Sequence, residues 1–134
     1  ASQCQWRVLD LGTGTGVAGI VACLNGVGST TLTDYREYDV MKENLARHCA
    51  HLSPSVCHFV EYLWGEPLPP VWCGEDISGE NAAIFDLVLA GDILYNSKCH
   101  AELERTIRLL SFTRMLITYK RRHDDVESAF LAKL

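Results

Sequence analysis

Apolar and polar positions fall into short blocks along the chain, and the period switches from one block to the next. "RVLDL", at Arg7 to Leu11, has strand character and breaks into glycines, while "VAGIVACLN" spaces its apolar residues at helical intervals and predicts a helix over Val17 to Asn25. The switch then recurs. A strand over Thr30 to Thr33 precedes a helix over Tyr38 to Leu52, and strands follow over Val56 to Leu63 and Phe85 to Ala90. A helix over Ser97 to Leu110, a strand over Met115 to Tyr119 and a last helix after His123 complete the series. "FDLVLAGD" is apolar without alternation after its first acid, the pattern of a strand covered on both faces and so central in its sheet. Gly65 to Ala83, with Pro67, Pro69, Pro70, Gly74 and Gly79, is the one long loop-like stretch, and it lies where a crossover is expected. Alternating strands and helices predict an α/β fold, a doubly wound Rossmann-like parallel sheet with helices on both faces.

Composition narrows the class. A chain of 134 residues suits a single domain, residues 1–134, with a core of its own. At 48% hydrophobic and 22% charged residues, with no apolar run long enough to cross a bilayer, no membrane association is expected. "ASQCQWRV" lacks the basic start and apolar stretch of an export signal. The six cysteines, Cys4, Cys23, Cys49, Cys57, Cys73 and Cys99, are scattered rather than framed, and read as free thiols of a reducing compartment, cytoplasmic or also nuclear. A net charge of -5 offers nucleic acid no general attraction, because such binding rests on phosphate neutralisation. The basic cluster Lys120, Arg121 and Arg122 is followed by Asp124 and Asp125 and reads as a solvated strand end.

The candidate chemistry begins at "VLDLGTGTG", Val8 to Gly16. A strand that runs through glycines into a helix aims backbone N–H groups at a ligand above the turn. Gly14, Gly16 and Gly19 match the spacing of a dinucleotide-binding turn. Asp10 argues against that ligand, since it would set a buried carboxylate beside a pyrophosphate, whereas an amino-acid ligand with an ammonium group would suit it. Asp34 ends "TLTD", 22 residues after Gly12, where a carboxylate can accept both hydroxyl protons of a ribose. That ribose belongs to NAD and to S-adenosylmethionine alike.

"VLDLGTGTG" with "LTDY", Asp34 being followed by Tyr35, resembles the first two motifs of the class I S-adenosylmethionine-dependent methyltransferases. "YLWGE" at Tyr62 to Glu66, "FDLVLAGDILYN" at Phe85 to Asn96, and "YKRR" with "VESAF" are similar, in order and spacing, to the protein-lysine methyltransferase branch, methyltransferase family 16. The resemblance covers nearly the whole chain. It implies that Gly12, Thr13, Gly14 and Gly16 lie against the methionine end of S-adenosyl-L-methionine and that Asp10 reaches its amino group. By the same resemblance Asp34 and Tyr35 belong to the ribose side, Trp64 lies beside the adenine, and Ala90 borders the cofactor. Asp92 and Tyr95 are the implied substrate-facing pair, with the first and fourth strands side by side at the switch point. The implied reaction moves a methyl group to an amine, a lysine presented by a protein, and leaves S-adenosyl-L-homocysteine. The family's domain also has a further N-terminal segment and two last strands that this chain lacks, so the fifth strand is expected to expose a sheet edge.

Plainer readings stand beside these. Asp10 can cap the following helix, Trp64 can fill core, Tyr95 can pack, and Asn96 can be a helix N-cap. A small-molecule N-methyltransferase and a silent cofactor-binding module stay open as alternatives. "DILY" lacks both prolines of the D/N-P-P-Y/F pattern that nucleic-acid N-methyltransferases carry, which again speaks against a nucleic-acid substrate. His48, Cys49, His51, Cys57 and His58 gather in "RHCAHLSPSVCH", yet Cys57 and His58 are strand neighbours on opposite faces and no C-x-x-C is present, so no metal is expected.

Overall fold

The computed structural model describes residues 5–72 and 84–134. Its elements are β1 (Arg7–Leu11), α1 (Val17–Leu24), β2 (Ser29–Asp34), α2 (Asp39–Cys49), β3 (Cys57–Glu61), β4 (Phe85–Gly91), α3 (His100–Leu109), β5 (Phe112–Thr118) and α4 (Asp124–Leu131). All five strands run parallel in the order β3-β2-β1-β4-β5. The chain builds outward from β1 to β3, then restarts on the other side of β1 with β4. That reversal opens a crevice beyond the carboxyl ends of β1 and β4, the position where such sheets hold ligands.

Burial explains the order. Val8, Leu9, Asp10 and Leu11 of β1 are all shielded, as a strand between two neighbours and two helix layers requires. On one side of the sheet Leu32 of β2 packs with Ile20 of α1 and Met41 of α2. On the other, Leu9, Leu11, Phe85 and Val88 pack with Leu103 and Ile107 of α3 and Phe130 of α4. The sheet is therefore covered on both faces, as its pattern predicts. β5 lies at one edge, and its side chains are half-buried or exposed and none is fully buried, Leu116 being 55% exposed. No helix among the described residues is long and apolar enough to cross a membrane.

Differences from the expected boundaries have local causes. The helix expected from Ser97 opens as a 3-10 turn over Ser97–Cys99, because the Asn96 side chain accepts from the Lys98 N–H at 3.2 Å, and becomes α-helical only at His100. β5 starts at Phe112, three residues before Met115, because Phe112 pairs with Phe85. β3 stops at Glu61, and the chain then turns through Leu63 and Trp64. Of the loop expected over Gly65 to Ala83, a 3-10 turn over Pro70–Trp72 buries Trp72 against Tyr62 and Phe85, and residues 73–83 lie outside the described residues.

Candidate active site

β1 delivers its last residue to a coiled turn in which Gly12, Gly14 and Gly16 all have positive φ, at 71°, 55° and 85°. Beneath this turn Asp10 is 1% exposed. Its Oδ2 accepts from the Thr13 hydroxyl at 2.5 Å and from the Gly19 N–H at 2.9 Å. Gly19 sits in the first turn of α1, whose N-cap Gly16 has no side chain to satisfy the free amides there. Asp10 therefore caps α1 from the preceding strand. Burial raises its pKa, an effect the two hydrogen bonds oppose. A second brace joins the turn to β2: the Thr13 N–H donates to the Thr33 carbonyl at 2.7 Å, and the Thr33 hydroxyl to the Asp10 carbonyl at 3.0 Å.

Asp34 does for the upper side of the turn what Asp10 does for the lower. Its Oδ2 accepts from the Gly14 N–H at 2.9 Å and its Oδ1 from the Tyr35 N–H at 2.9 Å. The opposite wall is Trp64. A methyl group on Gly12 would stand 3.0 Å from the indole Cζ2 and 3.1 Å from Ile93 Cγ2, so only glycine lets the turn approach the ring. The turn that carries Trp64 is anchored by Thr106, buried on α3, whose hydroxyl accepts from the Gly65 N–H at 2.8 Å and lies 3.2 Å from the Tyr62 hydroxyl. Between these walls is a cleft of about 410 Å³, bordered by Gly12, Gly14, Asp34, Tyr35, Trp64 and Tyr95 together with Tyr38, Leu63, Ile93, Asn96 and Cys99.

The sequence-derived residues thus divide. Gly12, Gly14, Asp34, Tyr35, Trp64 and Tyr95 border the cleft. Asp10, Thr13, Gly16 and Ala90 lie behind it, where Asp10 and Thr13 brace the turn and Ala90 is 2% exposed in β4. Asp92, at the end of β4, has φ 52°, unusual for a residue with a side chain, and its N–H donates to the Thr118 carbonyl at 2.6 Å. Its carboxylate receives both arms of the Arg122 guanidinium, Nη1 to Oδ1 at 2.7 Å and Nη2 to Oδ2 at 3.0 Å. The Arg122 hydrogen bond lowers the Asp92 pKa against desolvation, with the Arg122 charge acting in the same direction as the bond. Arg122 is fixed in turn, its backbone N–H donating to both carboxylate oxygens of buried Glu127.

Arg122 is the first of the residues that sequence reading missed. Lys120 to Arg122 lie at a solvated strand end, as read, with Arg121 against exposed Asp124 at 3.2 Å; the pairing of Arg122 with Asp92 is what the reading did not contain. "YKRR" was a signal of position but carried none of partner. Tyr38, Leu63, Ile93 and Cys99 were also missed, since each looks like core or surface until the loops converge.

A family model described as lysine methyltransferase matches residues 1–134. The chain belongs to the lysine methyltransferase family. This family member is 30% identical over 107 residues to the protein N-terminal and lysine N-methyltransferase efm7 of Aspergillus fumigatus, covering 75% of this chain and 39% of that protein. It is 30% identical over 129 residues to the protein N-lysine methyltransferase METTL21A of Mus musculus, covering 94% of this chain and 54% of that protein. The chain thus spans about half or less of the length of these relatives. Its fold matches magnesium protoporphyrin IX methyltransferase of Synechocystis, solved with bound SAM, at a TM-score of 0.62 and 15% identity over 97% of this chain and 59% of that one. A putative S-adenosyl-L-methionine-dependent methyltransferase of Methanococcus maripaludis matches at 0.61 and 16% identity, over 97% and 55%. At these identities the likeness is one of fold.

Proposed function

We propose that this chain transfers a methyl group from S-adenosyl-L-methionine to an amine, the side chain of a lysine in a protein. The observation that carries the reading is the convergence, on one cleft at the sheet's switch point, of the glycine turn, the Asp34 carboxylate and the Trp64 indole, with Tyr95 on the border and Asp92 just beyond it. The donor set fits the cofactor. Asp34 accepts two backbone N–H groups, and a carboxylate offers about four lone-pair sites, which leaves two for the ribose hydroxyls. Space above Gly14 is open to the methionine end, and Trp64 with Leu63 offers an apolar wall to the adenine. When bound, the cofactor supplies an electrophilic methyl group whose leaving thioether is neutral and needs no acid.

Position and the state of the nucleophile then dominate. A lysine amine of pKa about 10.4 must lose a proton before attack, at a cost of about 4.6 kcal/mol at pH 7. Asp92 does not lower that pKa, because a carboxylate favours the ammonium. Its role is to capture and orient the incoming cation, with the exposed Tyr95 ring alongside. Arg122 holds Asp92 meanwhile. Because this pair is exposed to solvent, a substrate lysine can compete with the guanidinium for the carboxylate. A protein N-terminal amine is a second acceptor of the same chemistry, favoured by the name of the fungal relative. The net charge of -5 and the absence of prolines from "DILY" support a protein acceptor over nucleic acid. The free thiols Cys23, Cys49, Cys57 and Cys99 support a reducing location, the cytoplasm or the nucleus.

Calorimetric titration with S-adenosyl-L-methionine, S-adenosyl-L-homocysteine and NAD, combined with transfer of labelled methyl to lysine peptides, tests the proposal. Both adenosyl ligands should bind, NAD should not, and Asp34→Ala should weaken binding. Asp92→Ala should abolish transfer while binding stays within a few-fold. Binding of NAD, or equal loss of binding and transfer in Asp92→Ala, would overturn the assignment.

A further inference from the structure

At the end of the sheet opposite the cleft, three elements bring their cysteines to one point. Cys23 lies in the last turn of α1, Cys49 ends α2, and Cys57 begins β3, level with Thr30 of β2. The sulfur atoms all lie within 4.8 Å of one another, and no fourth histidine, cysteine, aspartate or glutamate joins them among the described residues. Three sulfurs bonded to one ion at about 2.3 Å stand roughly 4 Å apart, so the set closes on an ion with little movement. The surroundings are apolar, with Cys49 packed in the cluster of Ile20, Leu32 and Met41 and Cys57 against it. The Thr30 hydroxyl, on a residue 0% exposed and level with Cys57, has no hydrogen-bond partner among the described residues.

We propose that Cys23, Cys49 and Cys57 form a three-thiol binding site for a trivalent thiophilic metalloid of the arsenite class. Coordination number and charge select this chemistry. A structural zinc ion takes four ligands, and with three thiolates it leaves a net negative charge in an apolar corner. Copper(I) would leave one unit more. The corner also receives the C-terminal, negative ends of α1 and α2, which oppose any anionic complex. The Cys23 S–H donates to the Val56 carbonyl at 3.8 Å, and arsenous acid reacts with thiols in that protonated state directly. Its three As–O bonds break, three As–S bonds form, and each thiol proton leaves with a hydroxide as water. No electron is transferred, no proton is released to solvent, and the complex is neutral. The run around Cys49 and Cys57 suggests histidine ligands when read alone; the fold instead turns His58 to Thr31 on the other face and brings in Cys23 from α1.

Native mass spectrometry of the full chain with sodium arsenite, and with zinc and copper(I) in parallel, tests the site. One adduct is expected, heavier by one arsenic less three hydrogens. It should persist when Cys4, Cys73 and Cys99 are all changed to Ser and disappear in Cys57→Ala, the substitution at the least buried of the three. A variant-free readout runs beside it. Arsenite should raise the melting temperature of the native chain, and alkylation of Cys57, the least buried of the three, should fall when arsenite is added. An adduct that survives in folded Cys57→Ala, one lacking only two hydrogens, Cys57 alkylation unchanged by arsenite, no adduct, or zinc or copper(I) binding in preference to arsenite would each overturn the proposal.

Discussion

Gly14 and Gly16 share a left-handed backbone yet should fail in opposite ways when given a methyl group. Both have positive φ, at 55° and 85°, so alanine at either costs about 1–2 kcal/mol of backbone strain. Their surroundings differ. A Cβ on Gly14 meets nothing within 4 Å, whereas one on Gly16 lies 3.2 Å from each of Ile20 Cδ1, Leu32 Cδ2 and Met41 Cγ. Those side chains are themselves buried, and overpacking such a site adds about 1–3 kcal/mol. Gly14→Ala should therefore lose about 1–2 kcal/mol, and Gly16→Ala about 2–5 kcal/mol. With an unfolding entropy of roughly 2.1 cal/mol/K per residue over 134 residues, each kcal/mol shifts the melting temperature by about 3.6 °C. The expected losses are about 4–7 °C for Gly14→Ala and about 7–18 °C for Gly16→Ala. Binding should rank the other way. The open space at Gly14 is the cleft itself, and a methyl group there should weaken S-adenosyl-L-methionine by about 10- to 100-fold, while folded Gly16→Ala stays within a few-fold. Differential scanning calorimetry and ligand titration on both variants make the comparison. Equal melting losses, or native-like binding by Gly14→Ala, would refute the assignment of open space to ligand and closed space to core.

Two further outcomes follow from buried polar contacts. Thr106→Val keeps the shape of the side chain but strands the Gly65 N–H and one partner of the Tyr62 hydroxyl, so it should cost about 1–3 kcal/mol and change the fluorescence of neighbouring Trp64; unaltered stability and emission would remove Thr106 as the anchor of that wall. Asp10 has a folded pKa above its unfolded value, so its native form binds more proton, and its contribution is fully present below the unfolded value and lost as pH rises through the folded one. Asp10→Asn retains an oxygen for Thr13 and Gly19, and urea unfolding from pH 4 upward should show the native chain losing stability relative to this variant as pH rises, the opposite slope assigning a lowered pKa.

Much of the fold is local information. The period of the apolar residues marks β1, α1, β2 and α2 to within a few positions, because a strand buries alternate or continuous residues and a helix buries a stripe, whatever it packs against. The glycine turn and the acid closing β2 are legible for the same reason, since their geometry is set by adjacent residues. What tertiary structure alone decides is which side each group serves. Asp10 and Asp34 are both strand-end acids, yet hydrogen bonds to α1 place one beneath the turn while the other faces the cleft. Arg122 reaches Asp92 across 30 residues only because β5 lies parallel to β4 and ends beside it. Cys23, Cys49 and Cys57 meet because α1, α2 and β3 share one end of the sheet, although 26 and 8 residues separate them along the chain. Such meetings depend on strand order and register, which the summed packing of the whole core selects and no single segment encodes.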